Sequence, residues 1–267
     1  EGSAGAPRSI YVDDAGHMYV LDQVNGRVVK FGADGKVESN MNIDRLTAQD
    51  MAPTKDGGMA VLDRFGGHDV SVYDASGNLT GSLPLVGEGI DDEGDVTGVF
   101  VDGNDVYAEV EHARLVKVGD TSGNVAANRD ELPGRPSRDG QSFLKAGIID
   151  PEAGRVYVVS NVRPSGEMRF TRELRFGAPT YQLLLLDTDQ SGTIYLAAEV
   201  QEEGGDGSIV SLQCLDKNNG EPIGSAVLPA NTSADETVRD LAVLDEGGVV
   251  YAQRTADGIT YEKYSCE

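Results

Sequence analysis

Apolar positions along the chain fall into short alternating runs separated by clusters of Gly, Asp and Asn. Runs such as Met18 to Asp22 (MYVLD) and Arg27 to Phe31 (RVVKF) have the two-residue period of a half-buried β-strand, and the clusters between them carry turn chemistry. Helical periodicity is nearly absent; a single turn over Asp235 to Val238 is the one helical expectation. The runs also recur in a fixed order: strand, acidic turn with Gly, strand, polar turn, third strand, then a second Gly-containing turn. Ser9 to Val37, Met51 to Leu79 and Gly98 to Val125 follow this order, and further copies begin at Ala146, Leu183 and Leu241. Aligned, they place Tyr19, Tyr107, Tyr157, Tyr195 and Tyr251 at one position of the second strand, with Ala60 as the exception.

A four-stranded unit of this kind cannot bury both of its faces alone, and radial stacking of such units solves the problem. The repeat therefore predicts an all-β fold, a six-bladed β-propeller, as one domain over 1–267. The expected blades span approximately 8–45, 46–90, 91–135, 136–180, 181–232 and 233–267. The sixth unit runs out after its third strand, Gly258 to Tyr264. Its blade is expected either to stay three-stranded or to be closed by the N-terminal segment Glu1 to Pro7.

Val12 to Asp22 (VDDAGHMYVLD), followed by Asn25 to Phe31 (NGRVVKF), resembles an NHL-type repeat. The resemblance is good in the first three units, weaker in the last two and partial in the fourth. It implies the six-bladed propeller, and a family whose members include protein-binding scaffolds, sensor domains, RNA binders and a few metal-dependent lyases. Those lyases use more histidine than the three residues this chain offers.

Composition narrows the partners. A formal net charge of −23 and a pI near 4.3 argue against nucleic acid and against an anionic membrane surface. No apolar run is long enough to cross a bilayer, so direct membrane insertion is not expected. The charge is uneven: Arg129 to Arg175 holds nine basic and seven acidic residues, while the rest of the chain is strongly acidic. Arg163, Arg169, Arg172 and Arg175 cluster in the fourth unit and are assigned to docking an acidic protein partner or another copy of the chain. Cys214, in the third strand of unit five, and Cys266, just past the third strand of unit six, are expected to form a disulfide. That bond points to an extracytoplasmic setting, periplasmic or secreted.

The turns leaving the second strands form the expected binding rim. Asp22, Asp63, His68, Glu109 and His112 lie there, and His with carboxylate is a divalent-metal donor set. Asp187, Asp189, Ser191 and Thr193 have the alternating-oxygen opening of a calcium loop, with Gly192 at the sharp turn. Its twelfth position is Ala198 rather than Glu. No resident cofactor is assigned, and calcium is the cation this loop would allow. No nucleophile elbow or phosphate-cradling Gly-rich loop is present, and no catalytic residue is assigned. The favoured function is a non-enzymatic protein-binding scaffold, a subunit of a larger assembly. The alternative is a divalent-metal-dependent hydrolase or lyase with its site at the channel rim.

Overall fold

The computed structural model describes residues 7–205, 207–232 and 237–267. Six antiparallel sheets, one per repeat, make the fold an all-β six-bladed β-propeller. Two 3-10 turns, Gln23–Asn25 and Glu93–Asp95, are the helical pieces among the described residues. Asp235 and Glu236 of the expected turn at Asp235 to Val238 lie outside them. The chain divides into two compact units, Glu1–Leu132 with Asp235–Asp240, and Pro133–Ala234 with Leu241–Glu267.

In the first unit, blade one consists of β1 (Ile10–Val12), β2 (Met18–Asp22), β3 (Arg27–Phe31) and β4 (Val37–Asn42). Blade two consists of β5 (Asp50–Pro53), β6 (Met59–Asp63), β7 (Asp69–Tyr73) and β8 (Leu79–Pro84). Blade three consists of β9 (Val96–Asp102), β10 (Asp105–Val110), β11 (Arg114–Asp120) and the two-residue β12 (Glu131–Leu132). Strand periodicity explains how the middle blade is buried on both sides. Met59 and Val61 of β6 join a core cluster with Leu21, Val28 and Met51, whereas Ala60 and Leu62 join another with Val99, Val106 and Val116. Ala60 breaks the tyrosine pattern at a fully buried position.

In the second unit, blade four consists of β13 (Arg135–Pro136), β14 (Ser142–Asp150), β15 (Arg155–Val162) and β16 (Met168–Arg175). Blade five consists of β17 (Thr180–Thr188), β18 (Ile194–Gln201), β19 (Ser208–Leu215) and β20 (Pro222–Pro229). Blade six is the three-stranded sheet β21 (Leu241–Val243), β22 (Val249–Thr255) and β23 (Gly258–Tyr264). The alternation recurs: Ile194 and Leu196 of β18 pack with blade four residues Val156 and Val158, while Tyr195 and Ala197 pack with Val249 and Tyr251 of blade six.

Chain closure takes two forms. Within the first unit, Arg8 and Ile10 exchange backbone hydrogen bonds with Val238 and Arg239, around a parallel bridge of Ser9 to Arg239. Glu1 to Ala6, nearly all of the segment considered for a fourth strand, lie outside the described residues. Within the second unit, Cys214 of β19 and Cys266 are joined by a disulfide that closes a separation of 52 residues. The tail then lies on β20, where Glu267 and Ser225 exchange a reciprocal pair of backbone hydrogen bonds at 3.2 Å. This approach needs a glycine beside it: a Cβ on Gly224 would stand 2.9 Å from the Cys266 Cβ and 3.0 Å from the Glu267 carbonyl oxygen.

Candidate functional site

The rim candidates of the first unit sit in or beside the turns after the second strands, and each is held by neighbours. Asp22 caps the Gln23–Asn25 turn, accepting from the Asn25 backbone N–H at 3.3 Å and from Arg27 Nε at 2.7 Å. Asp63 is 1% exposed and accepts from the Gly66 N–H and the Thr47 hydroxyl, both at 2.9 Å. Beside it, buried Asp69 accepts from Ser71, Ser82 and Arg45. Glu109, also buried, accepts from the Thr97 hydroxyl at 3.1 Å and has His112 Nδ1 at 3.3 Å. His68 pairs instead with Glu93, Nδ1 to Oε1 at 3.0 Å. The two histidines thus have separate carboxylate partners. Among the described residues no group of three or more His, Cys, Asp or Glu side chains is arranged to hold a metal ion.

The rim has a second property that composition does not reveal. Asp44, His68, Glu111 and His112 are the described non-glycine residues with positive φ, at 47°, 55°, 52° and 55°, and all four belong to turns and links of this unit. Side chains rarely adopt that conformation, and it concentrates at sites where surroundings over-determine the backbone. Exposed Val24, Leu46 and Phe65 occupy the same set of segments.

The calcium-like loop lies in the second unit, between β17 and β18. Asp187 Oδ2 receives Arg138, from Nη2 at 3.2 Å, and its Oδ1 receives the Thr188 N–H at 2.8 Å. Asp189 Oδ1 receives the Ser191 hydroxyl at 2.7 Å and the Thr193 N–H at 3.0 Å, while Oδ2 receives the Tyr195 hydroxyl at 3.1 Å. The same device braces the equivalent turn of blade one, where Asp13 receives the Ala15 and His17 N–H groups at 2.9 Å and the Tyr19 hydroxyl at 3.0 Å. Burial opposes the charge on Asp13, but the hydrogen bonds from His17, Tyr19 and Ala15 outweigh it and hold the carboxyl below its usual pKa. The acidic turns of blades one and five are therefore Asx turns that a neighbouring tyrosine locks.

The arginine cluster lies on and beside β16, the terminal strand of blade four. Arg169 donates to the carbonyl oxygens of Lys217 and Gln141 at 3.4 and 3.5 Å and forms no ion pair among the described residues. Arg172 donates to the Asn219 carbonyl at 3.1 Å and lies 3.4 Å from Glu221. Arg175 is 3.5 Å from Glu173, whose two oxygens are already engaged by Arg155 at 2.8 Å. Arg163 stands over the Phe143 ring, 5.4 Å from its centroid. The four arginines share one strand and the turn before it, and carbonyl oxygens receive Arg169 and Arg172.

Two ionic hubs escaped the sequence reading. Asp50, fully buried, accepts Ser9 Oγ at 2.5 Å, the Val99 N–H at 2.9 Å and Arg239 Nη2 at 2.8 Å. Arg138 pairs with Asp187 at 3.2 Å and Asp245 at 3.0 Å. A charged residue opening an otherwise apolar inner strand was the available signal for Asp50. Arg138 had no signal beyond its place in a long loop.

No protein-family model matches the chain, and no curated protein matches it. Solved structures do. The chain is similar to a chain of Kuenenia stuttgartiensis hydrazine synthase, at 12% identity and a TM-score of 0.60, covering 100% of this chain and 98% of that one. It is similar to a member of the DUF4221 family from Bacteroides vulgatus, at 10% identity and a TM-score of 0.55, covering 97% and 93%. It is also similar to virginiamycin B lyase from Staphylococcus aureus solved with quinupristin, at 11% identity and a TM-score of 0.52, covering 99% and 85%. At these identities the likeness is one of fold: all three comparisons place this chain among β-propellers, and function has to be argued from its own residues.

Proposed function

We propose that this chain is a non-enzymatic protein-binding propeller that works outside the cytoplasm as a subunit of a larger assembly. The observation that carries the reading is the arginine cluster of blade four. In a chain of net charge −23, four guanidinium groups gather on β16 and the turn before it, and Arg169 has no carboxylate partner among the described residues. Arginine keeps its charge at any physiological pH and pairs with carboxylates in a fixed fork, so this edge favours an acidic protein surface. The Cys214–Cys266 disulfide supports an oxidising compartment. No helix among the described residues is long and apolar enough to cross a membrane. The buried rim carboxylates of Asp63 and Glu109 serve neighbouring hydroxyl, amide and cationic groups, which supports a structural role for them.

The test is co-purification of the chain from its native source, followed by charge reversal. Arg169→Glu with Arg172→Glu is expected to abolish the association while leaving the fold unchanged by circular dichroism. Association that survives both substitutions would remove this face from the reading.

A further inference from the structure

Exposed apolar side chains gather on the turns and links of the first unit: Val24 at 52%, Leu46 at 65%, Phe65 at 63% and Val86 at 50%. None of the four lies on a β-strand. Contacts set their segments side by side. A Cβ on Gly26, two residues after Val24, would stand 3.3 Å from Leu46 Cδ2. Thr47, next to Leu46, donates to Asp63 at 2.9 Å and would meet a Cβ on Gly66, next to Phe65. The carbonyl of His68, in the Phe65 turn, accepts the N–H of Leu85 at 3.2 Å, which brings Val86 alongside. Exposed apolar residues scattered singly are ordinary, whereas an apolar patch on adjoining segments marks an interaction site.

The turn that carries Phe65 is fixed in place. The Arg64 N–H donates to Gln49 Oε1 and the Gly66 N–H to Asp63 Oδ1, both at 2.9 Å, and His68 holds a φ of 55°. A surface ordered in advance spends less of its binding energy on ordering.

Charge describes the occupant. The link from Glu88 to Asp95 carries five carboxylates and no basic residue. It adjoins the Phe65 turn, because Arg64 donates to the Gly94 and Val96 carbonyls at 3.3 and 2.7 Å and His68 pairs with Glu93 at 3.0 Å. Asp44, Asp91, Asp95 and Glu111 are exposed and form no ion pair among the described residues. The arginines of these segments are already engaged: Arg27 by Asp22 at 2.7 Å, Arg45 by Asp69 at 3.4 Å, and Arg64 by the two carbonyls. An apolar patch fringed by unpaired carboxylates complements a partner that mixes apolar and basic side chains. The same fringe repels an anionic lipid surface.

We infer that these turns and links of blades one to three form a second docking surface, which takes an apolar and basic segment of a protein partner. The surface lies in the first unit and the arginine cluster in the second, and the two are assigned opposite charge, so either assignment stands without the other.

The experiment measures fluorescence anisotropy of a labelled peptide of alternating Leu and Lys residues against the intact oxidised protein. Saturable binding is expected, much weaker for an alternating Ser and Lys peptide and absent for an alternating Leu and Glu peptide. Leu46→Ser with Phe65→Ser, at exposed positions that leave the core untouched, is expected to weaken binding roughly tenfold or more. Asp91→Asn with Asp95→Asn is expected to weaken it and to flatten its salt dependence. Ile223→Ser with Val227→Ser, exposed to a similar degree on β20 of the second unit, is expected to leave it unchanged. Absence of binding, or equal binding by wild type and the Leu46 and Phe65 variant, would overturn the inference. So would equal binding of the Ser and Lys peptide, since that describes charge attraction without a patch. Capture of wild type but not that variant by neutral phosphatidylcholine vesicles would give the patch to lipid instead. A dimer that the variant dissociates in analytical ultracentrifugation would give it to a second copy of the chain, and either result overturns the assignment.

Discussion

Asp50→Ala removes a carboxylate that ties three segments of the first unit together. Three groups lose their acceptor at once: the Ser9 hydroxyl, the Val99 N–H and the Arg239 guanidinium. Arg239 dominates the magnitude. Its side chain is 16% exposed, and stripping one partner from a buried ion pair costs about 3–5 kcal/mol. The Phe100 ring, 5.1 Å from the guanidinium carbon, still offers a face to the charge, which moves the expectation to the lower end of that range. The orphaned Val99 N–H adds about 1–3 kcal/mol. A loss of about 4 kcal/mol is therefore expected, a large part of a typical domain's stability. The assay is urea unfolding followed by tyrosine fluorescence, since the chain has ten Tyr and no Trp. Asp50→Ala with Arg239→Met should recover much of the loss, because it replaces an ion pair with apolar packing rather than leaving half of it. Hydrogen exchange at Ile10, whose N–H donates to the Arg239 carbonyl, should accelerate in the single variant. A loss below about 1 kcal/mol, or strict additivity of the two substitutions, would refute the reasoning.

Four further outcomes concern other parts of the molecule. Replacing both Cys214 and Cys266 by Ser opens a cross-link of 52-residue separation, expected to cost about 4 kcal/mol through unfolded-state entropy; calorimetry with and without reductant reads it. Asp13, Asp74 and Asp120 have lowered pKa values, so their contribution is complete above the unfolded value near 3.8 and is lost as pH falls through the folded values. For Tyr251, burial raises the pKa from 10.0 to about 12, so its contribution is complete below 10 and disappears as pH rises through 12; tyrosinate absorbance should lag behind that of free tyrosine until the fold opens. Calcium added at millimolar concentration is expected to leave the thermal transition in place, since the Asp187 and Asp189 oxygens already have donors.

The fold was legible because each blade repeats its own turn chemistry. The third strands of blades five and six, Ser208–Leu215 and Gly258–Tyr264, are the segments that the alternation marks, and locating Cys214 on the first and Cys266 just past the second foretold the disulfide. Blade four was less legible. Its β14 begins at Ser142, before the apolar run from Ala146, and Arg135–Pro136 adds a short strand where Pro and Arg suggest only a loop. The ionic hubs were hidden for a different reason. Asp50 and Arg239 lie 189 residues apart, and no local period encodes a pairing at that distance. The turn at Asp187 to Thr193 matches two local grammars, a calcium loop and an Asx turn. Only the tyrosine six residues after Asp189, equivalent to Tyr19 after Asp13, marks it as the blade turn repeated elsewhere in the chain.

The docking role of blade four is tested most directly by isothermal titration of the co-purified partner against wild type and Arg169→Glu with Arg172→Glu. The account predicts binding to the wild type that weakens with salt, and none detectable to the charge-reversed protein at unchanged thermal stability. Equal affinity for the two proteins would contradict it.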